Sequence, residues 1–340
     1  MLSPRIKNVQ IATHSRCNAN CVFCPYVESW HHDNPGVMAI DVWRRILSEL
    51  NSPIVRPYIS TGKICLYLMQ EPLLDPLITQ KMGEIYEAFP DITIELSTNG
   101  AALTPKRTEQ IIEVVRHNQR KLDFWISHHG ISSTTVDEIM RIDPSKATTN
   151  ILTFIQRAHE TLDSDYCTVV LRGAGFDFSR RIVYFTGLEY ATYWDSLLQH
   201  HGISRNRQLL VYDYFGFHDR AGTIKRIERN ANSLSYGVVR KIDTEHPLEC
   251  ARLTEWLHFM YDGSIVLCCM DYHREVSLPN IMHISLEDYF SSPQYQMLKA
   301  IFSGEQPSPS GFICTRCSQP TPAGLGRFRL NSSAIEEEFR

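Results

Sequence analysis

No stretch of this chain approaches the roughly 18 consecutive apolar residues that a membrane-spanning helix needs. The amino-terminal run from Met1 to Ser15 lacks the apolar core of a signal peptide. There is no long basic run, and the formal net charge is −4, so nothing in the charge balance points to nucleic acid. No G-x-G-x-x-G phosphate loop occurs. These absences predict a soluble, cytoplasmic protein with neither membrane nor nucleic acid as partner. Cysteine, by contrast, is plentiful, at ten residues. In a secreted chain that number would mean disulfides. Here the cysteines cluster by spacing, and metal ligation is the better reading. With 340 residues, 43% of them hydrophobic and 21% charged, the chain can fill the core of one large domain or two.

The first cluster is Cys17, Cys21 and Cys24, a C-x3-C-x2-C run in THSRCNANCVFCPY, just after the apolar run Val9–Ala12. A 4Fe–4S cluster normally takes four cysteines. Three on one loop leave one iron open to chelate a substrate or cofactor. A zinc site is the rival, but it usually shows two C-x2-C pairs.

Apolar runs alternate with helix-like segments over the first two thirds of the chain. Candidate strands are Val9–Ala12, Ile64–Leu68, Thr93–Ser97, Leu122–Ser127, Thr168–Leu171 and Leu209–Tyr212. Helices are expected over Ile40–Leu50, Pro76–Phe89, Asp137–Ile142 and Ala147–Thr161. This alternation predicts parallel βα units, with functional groups just after the strands.

The cysteine spacing directly after the first strand resembles the signature of the radical S-adenosylmethionine (SAM) superfamily. The resemblance implies an α/β fold, an incomplete (β/α)6 TIM-like barrel. It also implies an open iron that holds SAM and a cluster whose reduction yields a 5′-deoxyadenosyl radical. Phe23 stands where the family sets a residue against the adenine. Glu71-Pro72, followed by L-L-D-P, resembles the family's G-G-E-P stretch, which receives the SAM amino group, although Met69 and Gln70 replace small residues. Ser97-Thr98-Asn99-Gly100 resembles the turn that holds ribose and methionine, with Ser97 and Asn99 supplying polar groups. Ser127 and Arg141 match the places of the residues that grip the SAM carboxylate.

From about His246 the character changes. Cys250, Cys268, Cys314 and Cys317 form C-x17-C followed by C-x2-C. With D-G-S-I-V-L-C-C-M-D between them, this set resembles the Twitch form of the SPASM extension, in which four cysteines hold one auxiliary 4Fe–4S cluster. Structural zinc is the rival reading. An Asp262-Gly263 turn predicts a hairpin of Leu257–Tyr261 with Ser264–Leu267, and a helix is expected over Leu286–Ile301. The expected division is a barrel over residues 1–240 and a small α+β Twitch domain over 241–335. A polar tail follows from Thr321 to Arg340.

The expected chemistry is hydrogen abstraction from a small polyhydroxylated metabolite (a sugar, aminocyclitol or nucleoside-like molecule), ending in epimerisation or alcohol dehydrogenation. A flavodoxin or ferredoxin would supply electrons. The alternative is a maturase that modifies a peptide or protein side chain. A binding module with two zinc sites is a third reading. His128, His129 and Arg172, at the ends of the fourth and fifth strands, are candidate proton carriers or substrate contacts. Cys167 and Cys269 are candidate hydrogen donors, and inert core packing is the bland reading of each.

Overall fold

The computed structural model describes residues 5–59, 62–177, 182–206, 208–217, 220–221, 223–224 and 250–317. The expected boundary near residue 240, the region from His246 to Glu249 and the tail from Thr321 lie outside them.

Eight strands form one sheet. They are β1 (Asn8–Ile11), β2 (Lys63–Cys65), β3 (Thr93–Thr98), β4 (Leu122–Ser127), β5 (Cys167–Asp177), β6 (Ile182–Val183), β7 (Leu210–Gly216) and β8 (Trp256–Phe259). Around the sheet the order is β8-β1-β2-β3-β4-β5-β7, parallel throughout. Short β6 pairs antiparallel with the far end of β5. Among the described residues β7 and β8 are the two ends of this path and do not pair, so the sheet is not closed. Six of these strands occupy the places that the alternation predicts. The seventh is β8. β8, from the segment assigned to the cluster domain, pairs with β1 in the register Asn8↔Trp256 to Ile11↔Phe259. The backbone N–H of Ala12 extends this pairing by donating to Phe259 O at 2.8 Å. Cys250 and Cys268 therefore flank an edge strand of the barrel sheet in sequence.

Strand alternation separates two faces. Val9, Ile11, Ile64, Ile94, Leu96, Leu122, Phe124, Ile126, Val169 and Leu171 are all buried and face the helix layer. Phe124 meets Phe154 of the helix Pro144–Thr161, with ring centroids 4.3 Å apart. Helix Ile40–Leu50 buries Val42, Trp43, Ile46 and Leu50, the spacing of one helical face. The other face lines the inside of the barrel and is polar. There Lys63 bridges Glu95 (3.0 Å) and Asp123 across β2, β3 and β4, while the Tyr67 hydroxyl donates to Glu95.

Local capping sets where helices start and stop. Thr104 caps helix Pro105–Asn118, and Thr186 with Glu189 forms a capping box on helix Gly187–His200. The candidate helices of the sequence omit both of these. The helix expected over Leu286–Ile301 is two helices, Leu286–Ser291 and Pro293–Phe302. Pro293 cannot continue the first, and Ser292 caps the second. The predicted hairpin is minimal. Met260 N–H donates to Ser264 O at 2.9 Å around a left-handed Gly263 with φ 82°, and Phe259 bridges Ile265.

Candidate iron–sulfur site

The loop after β1 is held on several sides. Its Asn20 and Val22 N–H groups donate to Met140 O (3.2 Å) and Ile139 O (2.9 Å), at the end of helix Ser133–Met140. Cys17 N–H donates to the Tyr26 hydroxyl at 3.0 Å, and Cys24 N–H to Cys21 O at 3.1 Å. Cys17, Cys21 and Cys24 are all half-buried at the carboxyl ends of the strands. Burial pushes the Cys17 thiol well up, and Glu71 and the neighbouring Cys21 and Cys24 add to the rise. A bound cationic iron centre would offset that cost and hold the Cys17 sulfur as a thiolate.

Glu71 is placed differently from the expectation that it contacts SAM. Its carboxylate, 2% exposed, accepts from Thr98 Oγ1 (2.7 Å), Asn99 N (2.8 Å) and Leu73 N (3.1 Å). Its own N–H donates to Arg16 O at 3.0 Å. Burial raises its pKa to about 7 against these three donors. Glu71 thus ties the cysteine loop to the turn after β3, and its carboxylate is already occupied by protein groups. Asn99 makes the same connection, donating from Nδ2 to Asn18 Oδ1 at 2.7 Å, while its Oδ1 accepts from Ala101 N. Gly100, at φ 80°, leaves no room for a side chain, since a Cβ would stand 2.8 Å from Ile151. Ser97 and Ser127 are half-buried on the inner face. Arg141 is an exposed left-handed cap (φ 55°) directly after the residues that hold the cysteine loop. Among the described residues its guanidinium has no ion-pair partner.

Phe23 is 3% exposed and stacks on Phe217 at 4.6 Å, with His129 edge-on at 5.0 Å. The aromatic neighbours of this ring are therefore groups of the chain itself. His128 and His129 point opposite ways. His128 shares the apolar parity of Phe124 and Ile126, faces the helices and lies 3.2 Å from Thr148 Oγ1. Its place in the helix layer, fully buried beside Trp194, removes it from the candidate proton carriers. His129 faces inward beside Phe23 and Phe215. Burial pulls His128 down to about 4, and burial with nearby positive charge pulls His129 to about 3, so both rings are neutral near pH 7. Arg172 lies on the inner face in register with Ser127. Its Nε donates to Asp213 at 2.7 Å, and the guanidinium stacks 4.1 Å above Trp125.

Cys167 is a second correction. It begins β5 opposite Leu122, at the strand's amino end, and is 1% exposed on the helix-facing side. Burial pushes its thiol up to about 12. It is a core residue at the wrong end of the barrel for a hydrogen donor. Cys269 lies against Ala12, Met69, Met260 and Tyr272 in a small apolar cluster that Cys24 also touches.

The second set converges. Cys250, Cys268, Cys314 and Cys317 line one pocket, with Arg252, Leu267, Met270 and Phe302; Cys269 lines it too, so the expected alternative of Cys269 in place of Cys268 as ligand stays open. Among the described residues, no three His, Cys, Asp or Glu side chains come together as one metal ion requires. Two residues near the cysteines escaped the sequence reading: Arg252 lines this pocket, and the Tyr272 hydroxyl lies 3.9 Å from Cys24 Sγ. Arg220, from the aromatic and charged stretch Tyr212–Gly222 that the sequence marks as a candidate polar-ligand contact, carries charge toward Cys24 and Cys269. The available signal was proximity in sequence, Arg252 following Cys250 by two and Tyr272 following Cys269 by three.

Residues 250–318 match the SPASM family, an iron–sulfur cluster-binding domain. The fold as a whole is shared with several solved structures. Its structure resembles BtrN in complex with AdoMet and 2-DOIA at 16% identity, over 92% of this chain and 93% of that one, with a TM-score of 0.55. It resembles anSMEcpe with bound AdoMet at 12% identity, over 87% and 83% of the two chains, with a TM-score of 0.54. It also resembles SuiB of Streptococcus suis bound to S-adenosylmethionine at 12% identity, over 88% and 69%, with a TM-score of 0.52. No curated protein sequence matches the chain. Among the described residues no helix is long and apolar enough to cross a membrane.

Proposed function

We propose that this protein is a radical SAM enzyme acting on a small polar metabolite, and that its outcome is dehydrogenation of an alcohol. The observation that carries the reading is the convergence of three sequence-distant segments at one barrel mouth. Glu71 and Asn99 bind the Cys17–Cys24 loop to the turns after β2 and β3.

Cys17, Cys21 and Cys24 would hold the SAM-binding 4Fe–4S cluster, which with SAM supplies a hydrogen-abstracting 5′-deoxyadenosyl radical. Cys250, Cys268, Cys314 and Cys317 would hold the auxiliary cluster, a one-electron acceptor. The protein's own contribution is placement. Ser97 and Ser127, on the inner strand face, and Arg141, next to the residues that hold the cysteine loop, would offer hydroxyl and guanidinium donors to the polar end of SAM. Arg172, anchored by Asp213 and Trp125, presents remaining N–H groups on the inner face to a substrate oxygen. The neutral His129 and the aromatic rings around Phe23 keep water from the mouth.

Dehydrogenation is preferred here because the four-cysteine site would supply a one-electron acceptor; Cys167 faces the helix layer, and Cys269 is the donor candidate for the competing epimerisation. Modification of a peptide is the competing reading, since the fold is shared with SuiB and anSMEcpe as well as BtrN. The test is an anaerobic assay with a panel of carbon-deuterated sugars and cyclitols. Transfer of deuterium into 5′-deoxyadenosine with a carbonyl product is expected. Deuterium transfer from a leader-bearing peptide alone would replace this reading with the maturase.

A further inference from the structure

Arg252 is half-buried in the short helix Ala251–Thr254, two residues after Cys250. Its guanidinium lies 4.0 Å above the Trp256 ring, and Nη1 donates to Gln10 Oε1 at 3.4 Å. Gln10 and Trp256 are both on the inner face, on β1 and β8, and Trp256 stacks on His258 at 6.0 Å. The same arginine lines the pocket of Cys250, Cys268, Cys314 and Cys317. It therefore spans the wall between the barrel interior and the second cysteine set.

Its charge has no carboxylate counterpart. Among the described residues no acid forms an ion pair with Arg252, and the nearby Glu255 pairs with Lys7 at 3.6 Å instead. A guanidinium stays protonated at any working pH, so this is a fixed positive charge. An uncompensated charge in a partly dry site is costly unless something negative faces it. Four thiolates and the group they hold are the negative centre within reach.

We propose that Arg252 is the charge partner of the four-cysteine site: its guanidinium stabilises an added electron there and makes the site an acceptor for electrons from the barrel interior. This rests on the auxiliary-cluster reading above. The balance is one electron in and no proton taken up by Arg252. The electron comes from the substrate's carbon-centred radical. The proton leaves from the adjoining hydroxyl, and the C–O single bond becomes a carbonyl. Arg252 acts through the site and does not touch reacting atoms, so it is a positioning residue.

The test uses reconstituted full-length protein with Cys17, Cys21 and Cys24 all replaced by Ala, so that only the second site contributes signal. Its midpoint potential is read by redox titration with electron paramagnetic resonance, alongside iron content. Arg252→Gln and Arg252→Met remove the charge, and Arg252→Lys keeps it. The expected result is a more negative midpoint in both neutral variants and the parent's midpoint in Arg252→Lys. Iron loss from both neutral variants, with retention in Arg252→Lys, supports the proposal by a different route. An unchanged midpoint in a neutral variant that keeps its iron overturns the proposal. So does an Arg252→Lys variant that behaves like the neutral ones. Absence of any cluster signal in the Arg252 parent would instead refute the auxiliary-cluster reading itself.

Discussion

Replacing Glu71 by Gln should flatten the protein's stability against pH. The carboxylate is raised from 4.5 to about 7 by burial. The native state therefore binds a proton over a window where the unfolded chain has released it. Stability is full below the unfolded value and is lost as pH rises through the folded one. The shift corresponds to about 3 kcal/mol between about pH 5 and about pH 8. Gln does not titrate, so this contribution disappears. The substitution has its own cost. Oε1 accepts from Thr98 and Leu73, and Oε2 from Asn99 N. An amide must turn its NH2 toward one of these donors, which leaves a buried N–H unpaired at about 1–3 kcal/mol. The variant should therefore be less stable than the parent at about pH 5 and approach or pass it at about pH 8. Anaerobic urea unfolding of the reconstituted protein, followed by near-ultraviolet circular dichroism across that range, measures the difference. A parent-minus-variant gap that stays constant with pH would refute the reasoning.

The two spare cysteines should behave differently. Cys167→Ala should lower stability on the order of 1 kcal/mol, the loss of a small buried side chain, and leave SAM cleavage and product unchanged. A product changed by Cys167→Ala would contradict its placement on the helix-facing side of β5. Cys269→Ala should leave SAM cleavage and the oxidised product intact, as shown by mass spectrometry of the product. If it abolishes an inverted product instead, epimerisation with Cys269 as donor is the reaction.

The cysteines were legible because ligand spacing is a local property of sequence. So was the order of six strands, since each parallel strand is followed by its own helix and neighbours are consecutive. Register was less legible. Nothing local tells which parity of β4 faces inward, although Phe124 and Ile126 alternate with Asp123, Trp125 and Ser127, and that pattern assigns His128 to the helix side. Cys167 follows the same rule once it is paired with Leu122. The strand at β8 was expected as part of a hairpin, but its pairing with β1 was hidden because β1 lies more than two hundred residues earlier and only long-range packing joins them. Glu71 shows the same limit within the site. Its identity was readable, but its hydrogen bonds to Thr98 and Asn99 depend on how two strand ends approach.

The central claim is that the Cys17–Cys24 loop activates SAM while the second set holds a separate cluster. Iron content and 5′-deoxyadenosine formation, measured together under anaerobic reduction, test it most directly. The parent should hold about eight irons per chain, and the Cys17, Cys21 and Cys24 triple alanine variant about four. Only the parent should form 5′-deoxyadenosine. A triple variant that still cleaves SAM, or a parent that binds zinc and no iron, would contradict the account.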